Sequence, residues 1–426
     1  MIEFNYQKTG LISTQVIKAG LSQLEPEIAQ MRSALKDQYD SSYASLYCPF
    51  DEKLIMQIKQ LVTVKRKLKP SLLVVVGIGG SNLGTQAVLH ALGLRAIEVV
   101  FIDTVDPDKL HVIMMKIDKL LDSGKEILIN AVSKSGTTTE TVANFKILYS
   151  LIKAYRPKTF RDFIIVTTGK DSKLAQIATE EKFDMLAVPE NVGGRYSVFS
   201  AIGLFPLVLA GVDVDRLLFG ARSAVEKSLN DNGSTAASSA VLIYENWKKG
   251  SVIHSFFFFA TRLEFVGKWY RQLMGESIGK QNQQGDAVGI IPMTSVGSVD
   301  LHSVAQLYLA GPHNIYTSFV IVKEFEHHIK VPKVFPKLDF VIDGKYLTDI
   351  MHAISEGTQQ AYSERSNPYG TYTIPSLNAE SIGSFMQIQM IQMMFLGKLL
   401  QVNPFNQPDV ELYKTRTRKK LKNSYF

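Results

Sequence analysis

Two strongly apolar stretches, each running straight into a cluster of glycine and hydroxyl residues, constrain this chain most. The first is Leu72-Leu73-Val74-Val75-Val76, followed by Gly77-Ile78-Gly79-Gly80-Ser81-Asn82-Leu83-Gly84. The second is Ile127-Leu128-Ile129-Asn130-Ala131-Val132, followed by Ser133-Lys134-Ser135-Gly136-Thr137-Thr138-Thr139. Short, unbroken apolar stretches read as strands buried on both faces, which belong to parallel sheets covered by helices. A Gly/Ser/Thr turn between such a strand and a helix presents backbone N–H groups, hydroxyl donors and the positive end of a helix dipole. Those are the conditions for holding an anion. No Walker lysine accompanies either loop, so the pair points to a phosphate monoester rather than a nucleotide.

The rest of the chain fits that frame. Residues up to about Arg66 read as helical. From Leu72 to Pro189 strands alternate with helices, with strand candidates at Leu72–Val76, Val99–Asp103, Ile127–Val132, Phe163–Thr167 and Met185–Val188. Asp213 to Trp247 reads as helical, broken by the turn Asn230-Asp231-Asn232-Gly233-Ser234. A second α/β unit begins at Val252–Phe259, with further strands expected at Val288–Met293 and Ile315–Val322, and Leu377–Leu400 reads as a long helix. The expected fold is therefore α/β: two doubly wound parallel-sheet subdomains with extra helices at both termini. The expected divisions are a helical segment 1–66, a first subdomain 67–212, a helical connection 213–250, a second subdomain 251–376 and C-terminal helices 377–426.

Composition narrows the class further. At 426 residues, 46% hydrophobic and 20% charged, the chain is an ordinary globular protein of two to three domains. Its single cysteine, Cys48, excludes a disulfide framework and a cysteine-rich metal site. Met1-Ile2-Glu3-Phe4-Asn5 lacks the basic and apolar regions of a secretory leader, and the apolar stretch Ala201–Val212 is too short and broken to span a bilayer. The expectation is a cytoplasmic protein with no membrane partner. Much of the net charge of +7 lies in Lys414–Lys422. That run reads as a solvated helix face rather than a nucleic-acid site, and the positive field favours an anionic substrate. Gly77-x-Gly79 starts like a dinucleotide fingerprint, but Asn82 occupies the third glycine position, and the hydroxyl density of the second loop favours a phosphate.

Three later segments carry the chemistry: Gly193-Gly194-Arg195-Tyr196-Ser197, Gln272-Leu273-Met274-Gly275-Glu276-Ser277-Ile278-Gly279-Lys280, and Pro404-Phe405-Asn406-Gln407-Pro408-Asp409-Val410-Glu411-Leu412-Tyr413-Lys414. Together with the two loops and the surroundings of His302, and in this order, they resemble the glucose-6-phosphate isomerase family over about Leu72 to Lys414. The resemblance implies two sugar-isomerase subdomains, a homodimer, no metal or organic cofactor, and interconversion of glucose 6-phosphate and fructose 6-phosphate. Carried over residue by residue, it makes Ser81, Ser133, Ser135 and Thr138 the phosphate hydroxyls, with the Lys134 backbone beside them. Gln272 and Gln407 line the substrate pocket, as do Gly80 and Gly194. Glu276 becomes the base between C1 and C2, Arg195 the group that stabilises the enediolate, and His302 with Lys414 the pair that opens the sugar ring. The family places a glycine where this chain has Pro408-Asp409, which bears on the aim of Lys414.

The chemistry suits these residue types. Removing a proton beside a carbonyl needs a well-placed carboxylate, and the new charge on the enediolate is stabilised by a fixed guanidinium. Histidine can pass a proton to or from the ring at neutral pH. Taken singly, Glu276 reads as a helix-end carboxylate, Arg195 as a structural clamp, His302 as the start of a helix and Lys414 as one more charge in a basic run. Two alternatives stand beside the isomerase: a broader enzyme that also takes mannose 6-phosphate, and a non-catalytic sugar-phosphate sensor, which would lack the base, the arginine and the ring-opening pair.

Overall fold

The computed structural model describes residues 1–423 apart from 94, 336, 339 and 340. Twelve strands follow in chain order: β1 (Glu3–Asn5), β2 (Pro70–Val76), β3 (Glu98–Ile102), β4 (Glu126–Ser133), β5 (Ile164–Thr168), β6 (Asp184–Ala187), β7 (Ile253–Phe258), β8 (Lys280–Gln281), β9 (Ala287–Val288), β10 (Ile291–Val296), β11 (Ile315–Glu324) and β12 (Tyr369–Ser376). The first sheet has the order β3-β2-β4-β5-β6 and is parallel throughout. Leu72 to Val76 are fully buried, as unbroken apolar strands between two helical layers must be. All five strands expected for this sheet are present, each within one or two residues of its expected position.

The second sheet has the order β1-β12-β11-β7-β10, parallel except for β1, which lies antiparallel to β12. Alternation along β7 divides its phenylalanines. Phe256 and Phe258 join the main core, whereas Phe257 and Phe259 face a second cluster with Tyr308, Phe319 and Tyr362. Three sequence expectations change here. The apolar run at Val288–Met293 is two elements: Val288 pairs with Lys280 in the β8–β9 ribbon, and Ile291 opens β10. The segment before Arg66 is not wholly helical, because Glu3–Asn5 supply the edge strand β1. Strand β12 is an addition: its Gly370, alternating threonines and Pro375 hide it from a search for apolar runs.

The long helix Ala379–Leu400 is buried along most of its length and packs on helices Val214–Asn230, Thr235–Lys248 and Glu264–Ile278. Glycines let it come close: a Cβ on Gly383 would stand 1.9 Å from the Leu217 carbonyl oxygen. Among the described residues, no helix is long and apolar enough to cross a membrane. The basic run lies in helix Val410–Asn423, which has no buried residue.

Candidate active site

Both Gly/hydroxyl loops leave carboxyl ends of neighbouring strands of the first sheet. After β2, the 3-10 turn Gly79–Ser81 leads into helix Leu83–Leu92; after β4, Ser133–Thr138 leads into helix Thr139–Tyr155. Neither helix has a side-chain cap at its first turn, whereas Ser172, Asp213 and Ser234 cap helices elsewhere. Uncapped N–H groups facing a hydroxyl-rich loop favour an anion. Ser133 Oγ lies 3.0 Å from Thr138 Oγ1, and Ser135 Oγ accepts from the Thr137 N–H at 3.3 Å. The Lys134 side chain turns away to donate to the carbonyls of Glu190 and, at 3.1 Å, Val192. Burial lowers its pKa, with Glu190 opposing.

The last strand of this sheet feeds the turn Gly194–Tyr196, which meets the first loop directly. A Cβ on Gly80 would lie 2.2 Å from the Gly194 carbonyl carbon, so position 80 must be glycine. Ser197 Oγ donates to Gly194 O at 2.7 Å and lies 3.2 Å from Gly80 O. This contact delivers Arg195 to the site, where its guanidinium is only 2% exposed. A buried cation is tolerable only when its donors are satisfied. Nε donates to Ser277 Oγ at 2.8 Å; Nη1 to Gln407 Oε1 at 2.8 Å and Glu276 Oε2 at 3.3 Å; Nη2 to Pro404 O at 2.5 Å and Asn406 O at 3.1 Å. Trp269 Nε1 holds the Arg195 carbonyl at 3.2 Å.

Glu276 sits in the last turn of helix Glu264–Ile278, on the same side as the buried Trp269 and Leu273. Its Oε1 accepts from Gln272 Nε2 at 3.1 Å, and its side chain is one-third exposed (33%). The arrangement thus couples an immobilised guanidinium to a carboxylate with an open side. Gln272 Oε1 is buried and without a partner, and its Nε2 would lie 3.0 Å from a Cβ on Gly79. Arg195, Glu276, Gln272, Gln407, Gly80 and Gly194 are therefore drawn together. Ser277, Lys280 and the Pro404 and Asn406 carbonyls join them. Sequence reasoning gave these no role, although Ser277 and Lys280 stand in the same segment as Glu276.

His302 and Lys414 are not in this cluster. Helix Glu264–Ile278 runs back from the carboxyl end of β7, with Gly267 against Thr294 and Phe258 and Gly279 against Gly289. Glu276 therefore lies at the amino end of the second sheet, while His302 ends the turn that follows the carboxyl end of β10. At 1.5 Å per helical residue the two levels are about 20 Å apart. His302 is exposed. Lys414 Nζ donates to Glu411 Oε1 at 2.6 Å within its own helix. Among the described residues, no group of three His, Cys, Asp or Glu could hold a metal ion.

Fold and site together place the chain among the two-sheet sugar-phosphate isomerases. Two crystal structures share the fold. A hypothetical protein from Thermus thermophilus superposes with a TM-score of 0.88 at 30% identity, over 99% of this chain and 100% of that one. A glucose-6-phosphate isomerase from Chlamydia trachomatis superposes with a TM-score of 0.85 at 19% identity, over 99% and 88%. The chain belongs to the phosphoglucose isomerase family, whose model matches residues 65–425. A Thermus thermophilus relative named glucose-6-phosphate isomerase is 34% identical over 351 residues, 82% of this chain and 83% of that protein.

Proposed function

We propose that this protein catalyses the reversible aldose–ketose isomerisation of glucose 6-phosphate and fructose 6-phosphate. Family membership supports the reaction, and one observation carries the mechanism: the buried, fully bonded Arg195 held against the half-open Glu276. The phosphate is captured by Ser81, Ser133, Ser135 and Thr138 with the backbone N–H groups of the two loops. Glu276 takes the proton from C2 of the open-chain aldose and returns it to C1. Arg195 faces the oxygens on which the enediolate charge develops, and its five bonds keep it from having to reorganise as that charge appears. Gln272 orients the Glu276 carboxylate and keeps its own carbonyl oxygen for a sugar hydroxyl.

Ring opening needs His302, which one chain leaves at the far end of its second sheet. The turn bearing it is flanked by exposed apolar residues, Val299 at 65% and Leu307 at 47%. A homodimer would cover this face and bring each His302 to the sugar held by the other subunit, while Lys414 would approach from its own exposed helix. The proposed location is the cytoplasm.

Turnover of fructose 6-phosphate by purified protein, coupled to glucose-6-phosphate dehydrogenase in the presence of EDTA, tests the reading. Activity that survives the chelator supports a metal-free isomerase. A folded protein that binds 6-phosphogluconate without turnover would instead be a sensor.

A further inference from the structure

Lys280 follows the catalytic helix by two residues, and its ammonium points at the segment Asn403–Asn406. It donates to the Asn403 carbonyl, to Asn406 O at 2.6 Å and to Asn406 Oδ1 at 3.0 Å, which uses all three of its N–H groups. Asn406 O also accepts from Arg195 Nη2, and Pro404 O, between the two lysine contacts, accepts from the same nitrogen. One short run of backbone therefore sits between two cations and orients its carbonyls toward both. Phe405 in that run packs against Tyr43 at 4.8 Å and Tyr196 at 5.8 Å, so aromatic contacts keep the segment docked whatever occupies position 280. What the lysine adds is the direction of the carbonyls.

Resting on the isomerase reading above, we infer that Lys280 is a positioning residue for the reaction: by holding the Asn403–Asn406 carbonyls it fixes Arg195 opposite Glu276. Carbonyls left to rotate would let the guanidinium tilt, and small displacements of such a group are costly when charge develops on the substrate. The charged groups facing the ammonium are Arg195, from the turn Gly194–Tyr196, and Glu276, from helix Glu264–Ile278. Burial and then Arg195 lower its pKa to about 8, with Glu276 opposing. The tether therefore loses its charge within reach of an ordinary assay.

Lys280→Met is expected to lower kcat for fructose 6-phosphate by about ten- to a hundredfold. KM should stay within about twofold, because phosphate capture lies elsewhere. In the parent, kcat should fall above about pH 8; Lys280→Arg, which stays charged, should keep most of the activity and lack that alkaline limb. Parent-like kcat in Lys280→Met, or a change in KM alone, overturns the inference. So does an alkaline limb unchanged in Lys280→Arg, and that comparison decides the matter even if Lys280→Met fails to fold. The parent is the control: a parent without turnover defeats the isomerase reading, whereas an active parent with an indifferent position 280 defeats only the role of Lys280.

Discussion

Gly80 and Gly194 touch backbone to backbone, and a Cβ on Gly80 would also stand 2.6 Å from the Arg195 nitrogen. The loop after β2 and the arginine turn are thereby a single rigid unit. Gly80→Ala must push them apart, misplacing Ser81 and Arg195 together. We expect kcat/KM to fall by about a hundredfold or more, with contributions from both parameters, in steady-state assays.

Glu276→Gln keeps the side-chain length, and its oxygen can still accept from Arg195 or Gln272, but it cannot take a proton. General-base loss of this kind costs about 10²- to 10⁴-fold in kcat. Binding of 6-phosphogluconate, measured by calorimetry, should remain close to that of the parent. Turnover at the parent rate would remove Glu276 from the mechanism.

The separation of His302 from Glu276 within one chain has its own test. Glu276→Gln and His302→Ala should each be inactive alone. Mixing the two variants under conditions that exchange subunits should restore activity, because a mixed dimer holds one site with both groups intact. Mixtures that stay inactive while exchange is demonstrated would show that His302 serves its own chain or none.

His254 is fully buried between Ser318 Oγ, 2.8 Å from Nε2, and Tyr270 OH, 3.1 Å from Nδ1. Burial lowers its pKa from 6.5 to about 3. The fold therefore holds the neutral ring, and its contribution is intact above pH 6.5. As pH falls below that value the unfolded chain gains a proton that the folded one refuses, at about 1.4 kcal/mol per pH unit. Urea unfolding should lose about 2 kcal/mol more between pH 6.5 and 5 in the parent than in His254→Asn. Equal slopes would mean that the ring titrates normally.

Much of this was legible from the sequence where one strand or one helix turn carries the information. Apolar runs located β2 to β6, and the hydroxyl cluster after β4 falls, as expected, between a strand and a helix, because both requirements are local. Strand β12 was not legible: its polar alternation makes sense only beside β11 on one side and β1 on the other. The setting of Arg195 was not legible either. Three of its partners are the carbonyl or hydroxyl oxygens of Pro404, Asn406 and Ser277, and a backbone carbonyl leaves no trace in the identity of its residue. His302 marks the same boundary from the other side, since a motif names a residue without saying how far the fold carries it from Glu276.

The pairing of β1 with β12 sets an order of events during synthesis. Glu3–Asn5 leave the ribosome before β2 to β11, yet their partners Thr371–Thr373 follow about 370 residues later. At ordinary elongation rates that interval is on the order of tens of seconds, during which the first strand has no sheet to join. The first subdomain can close around β2 to β6 long before then. Strand β1 is thus a late clasp, fastened only once β12 has been made.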